Sequence, residues 1–186
     1  MQHLINAVRL GLQQQNYYSA LTLALTLPDM ACNIDSNGVG GRKNYMAWID
    51  TYISDKYKQV MPDMDSMDFN NPLSIPMPFP MKEFVFMAAK DIYALRCSYL
   101  HEGSDVIKDQ DVKPFLDSFI FTVPKAGGNP DHCNYYDTPQ GKKLHVQVDI
   151  FINDILDGAT TWLAAIQNDA AKQTQLNDMM KIYQFQ

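Results

Sequence analysis

The sequence predicts a mainly α protein, a helical bundle of five to six helices with an appended β-hairpin. Three observations predict it. Apolar residues recur at spacings of three and four through most of the chain. Glycine and proline clusters break that pattern into helix-length pieces. Runs of β-branched and aromatic residues are confined to 114–148, without the strand–helix alternation of a parallel sheet. The 186 residues suit one domain, 1–186, and 46% hydrophobic content supplies a core.

The elements follow in order. Leu4, Ile5, Val8 and Leu12 define an amphipathic helix over 2–15. Asn16 caps a second helix from 17 to about 27, which Pro28 ends. A turn-rich loop with Gly38, Gly40 and Gly41 leads to a third helix, about 42–58. Its Tyr45, Trp48, Ile49, Tyr52 and Ile53 face the core, and Lys56 and Lys58 suit its C-terminal dipole. Residues 61–81 carry prolines at 62, 72, 76, 78 and 80, too many for a regular helix, and form an extended loop. Asp63, Asp65 and Asp68 lack the glycine and terminal glutamate of a calcium loop, so solvated turn residues are the expectation there. Residues 82–101 form the next helix, with Gly103 as its stop. Segments 114–123 and 142–148 form a β-hairpin insertion spanning 114–148. Helices over 149–167, with Trp162 as core, and about 169–183, starting from Asn168, close the chain.

Composition limits function. A formal net charge of −6 disfavours general nucleic-acid binding, so any nucleic acid needs a local basic site. Cys32, Cys97 and Cys133 are an odd set without a CxxC pair, which points to a reducing compartment. The first residues lack a signal-peptide pattern, and the apolar stretch 20–27 is too short to span a bilayer. The expectation is a cytoplasmic protein with no membrane partner.

One segment of the 82–101 helix, Arg96-Cys-Ser-Tyr-Leu-His101, breaks the pattern. On a wheel at about 100° per residue starting from Val85, Arg96 falls inside the apolar arc, between Ile92 and Leu100. A guanidinium stays ionised, so it needs a partner or a wet crevice. Three arrangements satisfy it: a buried pair with Glu83, Asp29 or Asp50; a stem that packs while the head reaches water; or an anion site awaiting a phosphate. His101 lies at the helix end, where the dipole and Glu102 favour the imidazolium. Such a histidine serves as general base and general acid near neutrality. On an ideal helix the two side chains diverge by about 140°, which favours a site shared across a homodimer.

Other candidates are bounded by their chemistry. His132 and Cys133 with His145 lack the second close pair of a zinc site. Cys97, mid-helix, has no dipole to activate it as a nucleophile. Arg42 and Lys43 follow a glycine cluster and could touch phosphate, though not as a P-loop.

Arg96, four residues, then His101 resembles the Arg-x(4–6)-His signature of HEPN domains, α-helical bundles that include many metal-independent RNases of toxin–antitoxin and phage-defence systems. The stretches "LALTLPDMACNID", "GRKNYMAWIDTYI" and "DIYALRCSYLHEG" also look like a group of small uncharacterised bacterial proteins with an LPD motif and a YALRC-x-LH helix, over about residues 1–105. The HEPN resemblance implies an endoribonuclease without cofactor or metal. Arg96 and His101 would be catalytic at a dimer interface, Ser98, Glu102 and Arg42 would contact RNA, and a cognate antitoxin is an implied partner. Many catalytic HEPN motifs place Asn, Asp or His directly after the arginine, where this chain has Cys97. The alternative is a non-catalytic HEPN-like interaction module.

Overall fold

A computed structural model describes residues 1–68, 70–71, 76–97, 99–100, 119–139 and 141–179. The protein is mainly α, with six α-helices and two small sheets among the described residues. The first helix, α1 (Gln2–Gln13), buries Ile5 and Val8 against α2 (Tyr17–Asp35). Asn16 caps α2 by accepting from the Ser19 N–H (3.3 Å).

Pro28 does not end α2; the helix continues through it to Asp35. The proline forfeits one backbone bond, a cost of about 3 kcal/mol or more. Beyond it, Ala31, Cys32 and Ile34 are buried, and Pro28 is itself buried. Burying a large apolar side chain is worth about 1.5–3 kcal/mol, so tertiary packing overrides the local breaker.

The third helix, α3 (Arg42–Tyr52), is shorter than the 42–58 expected from its pattern. Its apolar spacing holds to Tyr52. The chain then tightens into a 3₁₀ turn, Ser54–Tyr57, and enters strand β1 (Lys58–Pro62). Lys56 therefore serves no helix dipole; its Nζ meets Asp154 and Asp157, each at 2.7 Å.

Residues 82–85, expected to be helical, belong with Met81 to strand β2 (Met81–Val85), paired antiparallel to β1 from Lys58↔Val85 to Pro62↔Met81. Phe84 and Val85 fit either period, and the distant strand β1 decides between them. Helix α4 (Ala89–Cys97) starts only where its first turn is capped. Asp91 Oδ2 accepts the Ala88 N–H (2.8 Å), the return half of a capping box. The expected stop at Gly103 lies outside the described residues.

Strands β3 (Phe119–Thr122), β4 (Asn134–Thr138) and β5 (Gly141–Gln147) form the second sheet in the order β3-β5-β4. The expected hairpin across 114–148 is corrected: β3 pairs with β5 in parallel, and the hairpin is β4–β5. Leu144 and Val146 face the core from β5. The chain passes from β5 straight into α5 (Val148–Ala165), whose Phe151, Ile152, Ile155, Ala159 and Trp162 are fully buried. The last described helix, α6 (Ala170–Asn177), is capped by Asp169 rather than Asn168, through the Ala171 and Lys172 N–H groups. No helix among the described residues is long and apolar enough to cross a membrane.

Gly158 marks the tightest approach of α5 to α3. A Cβ there would lie 3.0 Å from Ile53 Cγ1 and 3.3 Å from both Trp48 and the Tyr52 carbonyl. Gly158→Ala is expected to destabilise by about 1 kcal/mol in urea titration, the overpacking cost exceeding the gain in helix propensity. A stabilised variant would contradict that packing.

Asp91 gives a second expectation. Its side chain is buried (4% exposed), and that burial raises its pKa above 3.8, partly offset by the Ala88 N–H. A carboxyl whose folded pKa is raised contributes full stability below the unfolded value and loses it as pH rises through the folded one. Asp91→Asn keeps the acceptor without the charge. The variant should be the more stable at pH 7, with the difference shrinking as pH falls through the raised folded pKa and levelling off below 3.8. A pH-independent difference would rule this account out.

Candidate functional site

Arg96 sits in the last turn of α4, with a side chain 19% exposed. Its Nε donates to Asp29 Oδ2 of α2 at 2.7 Å, and Nη1 lies 3.8 Å from the Cys97 thiol. Of the three mates the sequence offers, the structure selects Asp29. Extending α2 past Pro28 is what carries that carboxylate to α4. Burial works against the guanidinium charge, but the hydrogen bond and charge of Asp29 outweigh it and raise the Arg96 pKa.

Two tyrosines wall the site. Tyr45 of α3 is fully buried and meets Tyr93 of α4 edge-on, with centroids 5.4 Å apart. Its hydroxyl donates to the Leu25 carbonyl at 3.4 Å. Burial first, then Asp29, drives the Tyr45 pKa well up. Arg42, at the start of α3, lies 5.7 Å from the Tyr93 ring centroid, within cation–π range. The Tyr93 phenol lies within electrostatic reach of both Arg42 and Arg96. Cys32 lies near this cluster, and burial, with Asp29 and Asp35, pushes its thiol up to about 11.

Ser98, His101 and Glu102 lie outside the described residues. Between them, Tyr99 and Leu100 are half-buried and π-helical. The Tyr99 hydroxyl donates to the Tyr18 carbonyl at 3.5 Å. A π turn bonds residue i to i+5 and is wider than an α turn.

The β region divides the histidines. His145 Nδ1 is 2.8 Å from Asp131 Oδ2, and its ring centroid lies 4.4 Å from that of Tyr136 with the planes tilted by 37°. Burial opposes the Asp131 charge, yet hydrogen bonds from His145, Asn134 and Tyr136 hold this carboxyl below its usual value. His132 and Cys133 instead line a different cleft. Sequence reasoning missed Tyr93 as the platform beneath Arg42, a contact made by the packing of α3 against α4.

Neither protein-family models, curated proteins nor solved structures match the chain.

The Asp29–Arg96 pair is only partly desolvated, so its coupling is modest. A double-mutant cycle with Asp29→Asn and Arg96→Ala should give roughly 0.5–1 kcal/mol of coupling in urea unfolding. Strict additivity would mean that the pair does not form in solution.

Proposed function

We propose that this chain is a HEPN-like protein that binds and cleaves RNA through Arg96 and His101, without a metal. The observation that carries the reading is the π-helical turn at Tyr99–Leu100, directly before His101. Such single π turns within helices occur frequently at functional sites.

In this chemistry an RNA 2′-hydroxyl attacks the adjacent phosphate, and the bond to the 5′-oxygen breaks. One His101 side chain takes the hydroxyl proton, and a protonated imidazole gives one to the leaving oxygen. Arg96 holds the phosphate as negative charge builds on its equatorial oxygens. Asp29 orients the guanidinium through Nε, at the expense of some positive potential. Arg42 is placed to add a phosphate contact beside Tyr93. Such an enzyme fits a toxin or phage-defence role, with a cognate antitoxin as partner.

A second reading is a non-catalytic HEPN-like interaction module. It is favoured by the 2.7 Å pairing of Arg96 within its own chain, which neutralises the charge a phosphate would need, and by Cys97 after the arginine.

Mixed RNA incubated with the protein in EDTA, beside an Arg96→Ala/His101→Ala variant of matched circular dichroism, separates the two. Cleavage that yields 2′,3′-cyclic ends and is lost in the variant is the expected result. No cleavage by either protein, or equal cleavage by both, sinks the enzyme and leaves the module.

A further inference from the structure

A groove of about 150 Å³ opens where the start of α2, the π turn after α4 and strand β3 meet. Its lining passes from core to solvent. Leu21 and Val148 are buried, Tyr17, Tyr99 and Phe121 are half-buried, and Tyr18 is 81% exposed. Short contacts hold the walls in place. The Tyr99 hydroxyl donates to the Tyr18 carbonyl at 3.5 Å and ties the π turn to α2. The Phe121 ring lies 5.7 Å from that of Phe151 of α5, and the Thr122 hydroxyl donates to the Asp131 carbonyl at 3.2 Å.

The chemistry of the lining narrows the occupant. Four of the eight lining residues are aromatic, against 11% of the chain, and none is charged. Such a groove does not hold a phosphate; it suits a flat, uncharged ring. Its volume is about half of the roughly 300 Å³ at which pockets for drug-sized ligands begin. A single ring system enters, and the sugar and phosphate attached to it stay outside. Proteins that read single-stranded RNA stack its unpaired bases on tyrosine and phenylalanine in this way. An aliphatic side chain of a partner protein is the competing occupant. Three tyrosines, each with a π face and a hydroxyl, suit a base with polar edges better.

Position connects the groove to the arginine. Tyr99 lies one turn after Arg96 and two residues before His101. Along α2, Tyr18 and the Asp29 that holds Arg96 are eleven residues apart, about 16 Å at 1.5 Å per residue. Stacked nucleotides advance about 3.4 Å each, so a strand with one phosphate at Arg96 reaches the groove within roughly five nucleotides. Tyr17 and Tyr18 open α2, whose first turn carries no acidic residue, so its dipole adds positive potential for the phosphates beside the groove.

We propose that this groove is a nucleobase subsite, which holds one unpaired base of single-stranded RNA against Tyr18 and Tyr99, a few nucleotides from the phosphate at Arg96. The inference rests on the RNA reading of Arg96 and His101 and adds the substrate class to it. The substrate is an unpaired strand, because the bases of a duplex are stacked on one another and cannot enter.

The test is fluorescence anisotropy of the full chain with a labelled 2′-O-methyl hexanucleotide, which 2′-hydroxyl chemistry cannot cleave, beside an abasic strand of the same length and charge. Tyr18→Ala is expected to weaken hexanucleotide binding about fivefold or more, and Tyr18→Phe, which keeps the ring, to hold it within about twofold. The exposure of Tyr18 leaves the fold insensitive to both changes. The abasic strand should bind weakly and equally to all three proteins. A 2-aminopurine in the strand should lose fluorescence on binding the wild type and less on binding Tyr18→Ala. Base-bearing and abasic strands bound alike would show contact through phosphates alone and overturn the proposal. Equal affinity of wild type and Tyr18→Ala, preference for a duplex, or no binding of the hexanucleotide overturns it too. These outcomes part from those of the cleavage assay. Tyr18-dependent stacking in a protein that cleaves no RNA removes the enzyme and keeps the subsite. Cleavage with affinity independent of Tyr18 removes the subsite and keeps the enzyme.

Discussion

The burial of α5 against α2 is the interaction on which the rest of the structure depends. Trp162 shows how it is locked. Its ring is fully buried, and its indole N–H donates to Asp35 at the end of α2 (2.9 Å). Asp35 also receives Lys172 of α6 at 2.7 Å, so one carboxylate ties three helices. This contact favours α2 continuing past Pro28, because a helix stopped there would bring neither Asp35 to Trp162 nor Asp29 to Arg96. The candidate site is thus a by-product of core packing some distance along the same helix.

How much of this was legible in the sequence depends on where each determinant lies. Helices α1 and α5 carry their own evidence, since Ile5 and Val8, or Phe151 to Trp162, repeat at helical spacing within one segment. Pro28 misleads because its local penalty is visible while the burial of Ala31 and Ile34 is not. Residues 82–85 mislead for the converse reason: Phe84 and Val85 satisfy a helical stripe until β1 is known to lie beside them. The parallel pairing of β3 with β5 is set by the path between them, which no local pattern records. Arg96 was legible as a residue that needs a partner, and Asp29 as one of three mates. The Tyr93 platform was not, because it depends on how α3 and α4 pack.

Acidic residues exceed basic ones by six, yet several of the aspartates tie parts of the fold together. Asp29 and Asp35 join helices, Asp91 caps one, and Asp131 fixes the orientation of a histidine. Asp154 accepts Lys56 Nζ at 2.7 Å and the Tyr57 hydroxyl at 2.8 Å, closing the start of the ribbon onto α5. Most of these ties join segments far apart in sequence. A charged hydrogen bond is directional where apolar contact is not, so such ties select one arrangement among the several a greasy core would accept.

The junction of β5 and α5 has no loop. Gln147 ends the strand and Val148 begins the helix. The Gln147 side chain is spent on both sides, accepting the Asp131 N–H at 3.0 Å and donating to Asp149 at 2.8 Å. A strand repeats every two residues and a helix every 3.6. One residue added or removed here would turn the whole apolar stripe of α5 by about 100° relative to the sheet. The chain therefore has no slack at this point. Sheet and bundle are geared together, and their length relation is fixed to the single residue.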